Sequence, residues 1–431
     1  MRILGRKETD MRANIKRNQL RRVVIVGGGI GGLQLAMSLR KTGFQVVLID
    51  KNNYNQFPPL IYQVASSGLE PSNISFPFRR IFQNYKNFFF RKGEVRTVDT
   101  KEKMVTTTFG NVHYDYLVLA AGAQTNFFGN KNVEHNALPM KTVTDAMKLR
   151  NTLLSNLEQA ETEDRDEERK AWMNIVIVGG GPSGVEIAGA LADMKNTVLR
   201  HDYPDLDPRL FNIHLINSRD RLLANMDPVS SERAEKDLRQ MGVDLMLGQR
   251  VVDYKDNKVA LENSTLIPAR TVIWVSGIRG VAIGGIPEES IGRGGRILVN
   301  RFNEVKGMEK VYAIGDLSLV DDGTNHQGHP QLAQVAIQQA KNLAHNLINR
   351  ENGKEQKPFV YRNLGTMATI GRKKAVAEIA GLKFGGLAAW LLWLLVHLRS
   401  ILGVRNKTMA LINWAWNYFN YKQSLRLILD R

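Results

Sequence analysis

The 431-residue chain contains no cysteine. Its absence excludes disulfides, thiolate metal sites, cysteine-ligated iron–sulfur clusters and every redox route through a dithiol. A membrane-crossing helix is not evident either. The apolar run 385–396 has twelve residues, about 18 Å as a helix against a bilayer core of roughly 30 Å, so it cannot span alone. Residues 1–22 lack a continuous apolar segment and do not read as a secretory signal. They read as a solvated basic tail or as an early start with Met11 as the alternative initiator. Acidic residues are scarce at both ends. Residues 1–22 carry eight basic side chains against Glu8 and Asp10, and residues 361–431 carry eleven against Glu378 and Asp430. The net charge of +17 therefore leaves only +2 for the middle of the chain. Basic residues gathered in a tail and a tryptophan-rich C-terminus point to an anionic membrane surface as partner and to no nucleic acid.

What is present is ordinary globular usage, with 43% hydrophobic and 23% charged residues, which rules out a disordered or collagen-like chain. The length allows two or three domains. Residues 23–50, VVIVGGGIGGLQLAMSLRKTGFQVVLID, read as a buried strand, a glycine turn, a helix and a second strand. Setting Ile175–Leu191 against Val23–Leu39 without gaps gives nine identities in seventeen positions. The fold class expected is therefore α/β, with two Rossmann-like dinucleotide-binding domains. A polar helical stretch from about Thr144 to Lys170 lies between them, its EDRDEERK run a solvated face.

In such a fingerprint the first glycine allows the turn, the second lets backbone approach a pyrophosphate, and the third lets helix and strand pack. In the first copy these are Gly27, Gly29 and Gly32. Asp50 ends the next strand, about 20 residues on, where an acid would bind an adenosine ribose. In the second copy they are Gly179, Gly181 and Gly184, and Asn217 stands at the acid position with Arg219 and Arg221 close behind. An amide still hydrogen-bonds a diol, whereas arginines accommodate a 2′-phosphate. NADH is the expected nucleotide, with NADPH open.

These fingerprints, with residues 114–129 (YDYLVLAAGAQTNFFG), 272–278 (VIWVSGI), 311–316 (VYAIGD) and 333–339 (AQVAIQQ), resemble the two-dinucleotide-binding-domain flavoproteins. Within that superfamily the chain resembles type II NADH dehydrogenase, the single-subunit, non-proton-pumping NADH:quinone oxidoreductase. The resemblance runs from about Arg22 to the C-terminus and includes residues 52–69, NNYNQFPPLIYQVASSGL. It departs at Ala120–Ala123 (AAGA for ATGA), at WVSGI for a WTAGV-like segment, and at Asn217.

The resemblance implies FAD at the first fingerprint, with Gly122, Gly315 and Asp316 contributing, and the nicotinamide cofactor at the second. It implies that Gln334 and Gln338, four apart on one helix face, line the flavin and quinone pocket, and that Glu186 lies near the flavin between hydride donor and quinone. A carboxylate in the first turn of a helix is also favoured by the macrodipole whatever its function. The division expected is a basic tail (1–22), an FAD-binding domain (23–140 and 290–360), an NAD(P)H-binding domain (141–289), and a membrane-associating or dimerising region (361–431). In that last region Asn413, Asn417, Asn420 and Ser424 form one polar stripe of a helix expected over 409–429. Trp390, Trp393, Trp414 and Trp416 serve as aromatic anchors, and Lys383, His397 and Arg399 bracket the apolar run. The implied location is peripheral, on the cytoplasmic face of the inner (plasma) membrane, with a homodimer as the competing use of these helices. The rival functions are a soluble ferredoxin- or rubredoxin-type reductase and a membrane-docked flavin redox sensor.

Overall fold

The computed structural model describes residues 13–321, 328–420 and 426–428, with the side chains of Asn417 and Asn420 outside that description. Residues 1–12 of the expected tail and Ser424 of the expected polar stripe also lie outside it. In chain order, the elements that position the sites begin with β1 (Arg21–Val26), α1 (Ile30–Ser38), β2 (Phe44–Asp50), α2 (Ile61–Ala65), β3 (Phe88–Lys92) and β4 (Tyr116–Leu119). Next come α3 (Val143–Thr162), β5 (Ile175–Val178), α4 (Pro182–Met194), β6 (Ile213–Asn217), β7 (Val243–Leu247) and β8 (Thr271–Trp274). The last are β9 (Val311–Ala313), α5 (Ala333–Glu351), β10 (Thr366–Gly371), β11 (Lys374–Ile379), β12 (Leu382–Gly385), α6 (Gly386–Ser400) and α7 (Val404–Asn420).

The chain forms two units. One joins the segment through Asn55 with Phe76–Gln124 and Ile278–Asn363; the other joins Gln56–Ser75, Thr125–Gly277 and the chain from Leu364. The first unit carries a five-stranded sheet in the order β9-β4-β1-β2-β3, with all neighbours parallel. Val23, Val24 and Ile25 are fully buried because the central strand is covered on both faces, hence an unbroken apolar run where a one-faced strand would alternate. The second unit repeats the plan, with Leu138–Pro139, β8, β5, β6 and β7 in that order and again parallel.

The duplication extends beyond the seventeen aligned residues. In each unit a three-stranded antiparallel meander, spanning 95–113 in the first and 251–268 in the second, connects the third strand to the next strand of the main sheet. The intervening polar stretch is two helices. α3 starts at a capping box made by Thr142 and Asp145 and ends before Glu163, and a second helix runs Asp166–Met173.

The observed division differs from the sequence-based one at five places, each with a physical reason. Residues 125–140 belong with the second unit, where Leu138 and Pro139 pair in parallel with β8. Residues 278–289 belong with the first unit because the Gly284 N–H donates to Arg96 O and the Val98 N–H to Gly284 O, both at 2.9 Å. Gln56–Ser75 belongs with the second because Leu60, Ile61, Val64 and Ala65 are buried in its core. The C-terminal region is not a separate body. β10 lies on α4 at Gly189, where a Cβ would overlap the Ile370 carbonyl, and Trp393 is 1% exposed within the same core. Finally, the end of the expected tail is built in. Arg17 pairs with Asp115 at 2.9 Å, and the buried Arg22 donates to Gln45 Oε1 at 2.6 Å.

α7 starts at Val404, five residues before the expected helix, and α6 extends to Ser400. Among the described residues no helix is long and apolar enough to cross a membrane. Trp393 and Trp414 face the core, whereas Trp416 is exposed. His397 is no basic flank: its ring stacks on Trp393 with centroids 4.1 Å apart, and burial pulls its pKa down to about 4.

Candidate functional site

The first fingerprint spans the end of β1, the start of α1 and the end of β2. Gly27 has φ +99°, which disfavours a side chain, and a Cβ there would overlap the Ala120 carbonyl. At Gly32 a Cβ would overlap the Gly27 carbonyl oxygen, so this glycine sets how closely α1 packs. Gly29 is different: a Cβ would meet nothing within 4 Å. Nothing in the protein's own packing asks for glycine there. It is the N-cap of α1 and supplies no side-chain cap, leaving the helix's first N–H groups and positive dipole end facing open space. A Cβ on Gly122 likewise meets nothing. These residues form a cradle that a dinucleotide pyrophosphate fits.

Asp50 organises the loop. Its Oδ2 accepts from the Gly28 N–H at 2.6 Å and its Oδ1 from the Asn52 N–H at 2.7 Å. Burial raises its pKa while these two donors counteract the rise. At the end of edge strand β9, the Gly315 N–H donates to Gln339 Oε1 at 2.7 Å. Gln339 is fully buried and also donates to Asn303 Oδ1 at 2.9 Å. It therefore fixes the 314–316 turn, with Gln331 donating to the Asp316 carbonyl at 2.9 Å.

Gln334 and Gln338 do share a face of α5 and are both half-buried. Gln338, however, is engaged with Arg362, donating to its carbonyl at 2.9 Å and accepting from its N–H at 3.0 Å. Gln339 was legible in principle. It falls in the Val335, Gln339, Leu343, Leu347 ladder of buried positions, where a polar residue needs a partner.

The second fingerprint repeats this logic. A Cβ on Gly184 would overlap the Gly179 carbonyl, and one on Gly181 would meet nothing within 4 Å. Asn217 takes Asp50's part by accepting from the Gly180 N–H at 3.0 Å. Its Nδ2 donates to the carbonyls of Arg219 at 3.2 Å and Arg221 at 3.0 Å. The Arg221 guanidinium is itself tied to the Ala224 carbonyl at 2.8 Å.

Farther along the same unit, Glu186 projects from α4 toward β10. Burial pushes its pKa up to about 8, against which the Thr369 N–H donates to the carboxylate. The buried Tyr62 hydroxyl is raised well above its ordinary value by burial first, then by the charge of Glu186. Gln63 Nε2 donates to Tyr62 Oη at 2.8 Å, and the Tyr62 ring meets Trp393 edge-on at 6.4 Å. Neither Tyr62 nor Gln63 stands out in the sequence, because apart from each other their partners lie far along the chain.

Two cradles built alike on parallel sheets define a pyridine-nucleotide flavoprotein, and residues 21–340 match the family model described as pyridine nucleotide-disulphide oxidoreductase. Residues 363–421 match the NDH2 C-terminal domain. The chain is 34% identical over 414 residues to the type II NADH:quinone oxidoreductase NdhA of Mycobacterium tuberculosis, covering 92% of this chain and 87% of that protein. It is 31% identical to the internal alternative NAD(P)H-ubiquinone oxidoreductase A1, mitochondrial, of Arabidopsis thaliana, covering 94% and 85%. Its fold superposes on NDH2 from Plasmodium falciparum in complex with NADH with a TM-score of 0.87 at 20% identity, covering 96% of this chain and all of that one. The chain belongs to the type II NADH:quinone oxidoreductase family. The sulfide:quinone oxidoreductase of Aquifex aeolicus shares the fold at a TM-score of 0.71.

Proposed function

We infer that the protein oxidises NADH and reduces a quinone, with FAD between them. The observation that supports this best is the pair of cradles in which the middle glycines, Gly29 and Gly181, are required by nothing within the chain. Bound FAD supplies the chemistry, accepting a hydride and passing two electrons on. The chain's own residues bind, orient and supply a proton. Gly27, Gly29, Gly32, Asp50, Gly122, Gly315 and Asp316 hold the flavin dinucleotide, while Gly179, Gly181, Gly184 and Asn217 hold the nicotinamide nucleotide. Forming a quinol takes two electrons and two protons; hydride transfer delivers both electrons and one proton, so one more proton is needed. Glu186, whose pKa burial pushes up to about 8, is the group we assign to that supply. Gln334 and Gln338, on one face of α5, are the amides we assign to the quinone.

We further infer peripheral association with an anionic membrane, on the cytoplasmic face of the inner (plasma) membrane. Leu387, Leu391 and Leu395 recur every four residues along α6 at 49%, 53% and 65% exposure, forming an apolar stripe suited to an interface. Burial of the stripe against a second copy is the competing use.

The test is steady-state oxidation of NADH and NADPH by the purified, flavin-loaded full chain with a short-chain quinone. Turnover with NADH and quinone is expected. Flavin reduction by NADH without turnover would favour a redox sensor, and transfer only to a ferredoxin would favour the soluble reductase.

A further inference from the structure

A continuous series of contacts within the second unit connects α7 to Glu186. Trp414 Nε1 donates to Gln63 Oε1 at 2.8 Å. Gln63 Nε2 donates to Tyr62 Oη at 2.8 Å. The Tyr62 hydroxyl bonds the Thr369 side chain, and the Thr369 N–H donates to the Glu186 carboxylate. Four elements take part, α7, α2, β10 and α4, and the outermost bond joins residues 351 apart in sequence. The indole N–H only donates, so Gln63 offers its oxygen to Trp414 and its NH2 to Tyr62, and at Thr369 the series passes from the side chain that meets Tyr62 to the backbone N–H that serves Glu186.

We propose that Trp414, Gln63 and Tyr62 are positioning residues for Glu186, so that the C-terminal helix, besides presenting apolar surface, sets the geometry of the carboxyl that serves quinone reduction. The proposal rests on the role assigned to Glu186 above. α7 is where the arrangement begins, and its neighbouring residues Met409, Leu411, Ile412 and Trp416 are 40% to 57% exposed. One helix thus presents an apolar face outward and anchors the partners of the half-buried carboxyl inward.

The other titratable groups around Glu186 are accounted for. Asp193, two turns along α4, is pushed up to about 6 by burial and accepts from the Arg372 N–H at 3.1 Å. Lys374 lies 3.6 Å from Asp237. His397 is neutral against Trp393. None of these bonds involves Trp414 or Gln63, so substitutions there isolate the series. With the donors Trp414 and Gln63 removed, Tyr62 and Thr369 relax, the Thr369 N–H holds the carboxylate less firmly, and Glu186 keeps its proton to higher pH.

The experiment uses flavin-loaded full-length protein as wild type, Trp414→Phe, Gln63→Leu and Glu186→Gln. Infrared difference spectroscopy titrates the protonated-carboxyl band lost in Glu186→Gln, and stopped flow follows quinone consumption by NADH-reduced enzyme across pH. The expected result is an upward shift of the Glu186 midpoint in both Trp414→Phe and Gln63→Leu. It is accompanied by quinone reduction slowed roughly five- to tenfold, the worth of about one hydrogen bond, and by unchanged membrane flotation. A shifted band in the infrared with the wild-type kinetic profile would overturn the link to quinone reduction. Wild-type midpoints in both variants, with Glu186→Gln slow, would overturn the positioning role while leaving Glu186 in place. A Glu186→Gln enzyme with wild-type rates and pH profile would overturn the role of Glu186 itself, and this proposal with it.

Discussion

The amide oxygen of Asn217 lies 3.0 Å from the Gly180 nitrogen, reproducing the bond that Asp50 makes to Gly28 in the other unit. The amide nitrogen adds two donations, to the Arg219 and Arg221 carbonyls, that a carboxylate cannot make. Asn217→Asp would turn both into contacts between a negative oxygen and a carbonyl. The expected outcome is a higher KM for NADH and a loss of roughly 1–2 kcal/mol of stability, read by kinetics and thermal unfolding. A gain in NADH preference over NADPH at unchanged stability would show instead that Asn217 serves mainly the ribose.

Gly29 and Gly32 separate binding from folding. Gly29→Val adds a side chain where none of the protein's atoms lies within 4 Å. Flavin content should collapse while the flavin-free protein unfolds at the wild-type temperature. Gly32→Ala forces α1 away from the Gly27 carbonyl and should destabilise even the flavin-free protein by about 1–3 kcal/mol. Full flavin content in Gly29→Val would remove the first cradle from the cofactor assignment.

Glu186 has an ordinary value of 4.5 and a folded-state value of about 8. A raised value means the folded state binds the proton more tightly. Its contribution to stability is fully present below pH 4.5 and is lost as pH rises through 8. Glu186→Gln should therefore flatten the decline in stability between these limits. It should also abolish the fall in quinone reduction above about pH 8 that the wild type is expected to show. Denaturant melts and pH–rate profiles check the two halves independently.

Substitution at Gly189 tests how the C-terminal region is held. An alanine methyl would collide with the Ile370 carbonyl, a backbone atom that cannot rotate away. Gly189→Ala should loosen β10 and expose the chain near Leu364 to limited proteolysis, with a loss of about 1–3 kcal/mol.

Leu391 and Leu395 are 53% and 65% exposed, so their replacement by glutamate should leave thermal stability within about 0.5 kcal/mol. The double variant should fail to float with anionic liposomes. If it floats as wild type does while a wild-type dimer dissociates, the stripe is an interface between copies.

Much of the framework was legible because its constraints are local. A buried parallel strand reads as an apolar run, and a glycine that would collide with its own loop must be glycine, so both fingerprints and both acid positions could be placed from spacing alone. The allegiance of Gln56–Ser75 was hidden because its apolar residues fit any core, and only long-range packing decides which. Trp393 and Trp414 resembled interfacial anchors because composition does not reveal which face of a helix turns inward. His397 looked like a basic flank because its neutrality comes from a tertiary neighbour. The Trp414–Gln63 bond has no sequence signature, since neither side chain departs from an ordinary helical pattern.

Each unit is assembled from three separated stretches of chain, and the second takes its final stretch from Leu364 onward. A chain emerging from the ribosome therefore holds α4 and its apolar face long before β10 and Trp393 exist to cover them. Loop-closure entropy also delays pairing between such distant segments. Synthesis order and folding order are thereby at odds: the apolar face of α4 stays uncovered until residues 366–393 have been made.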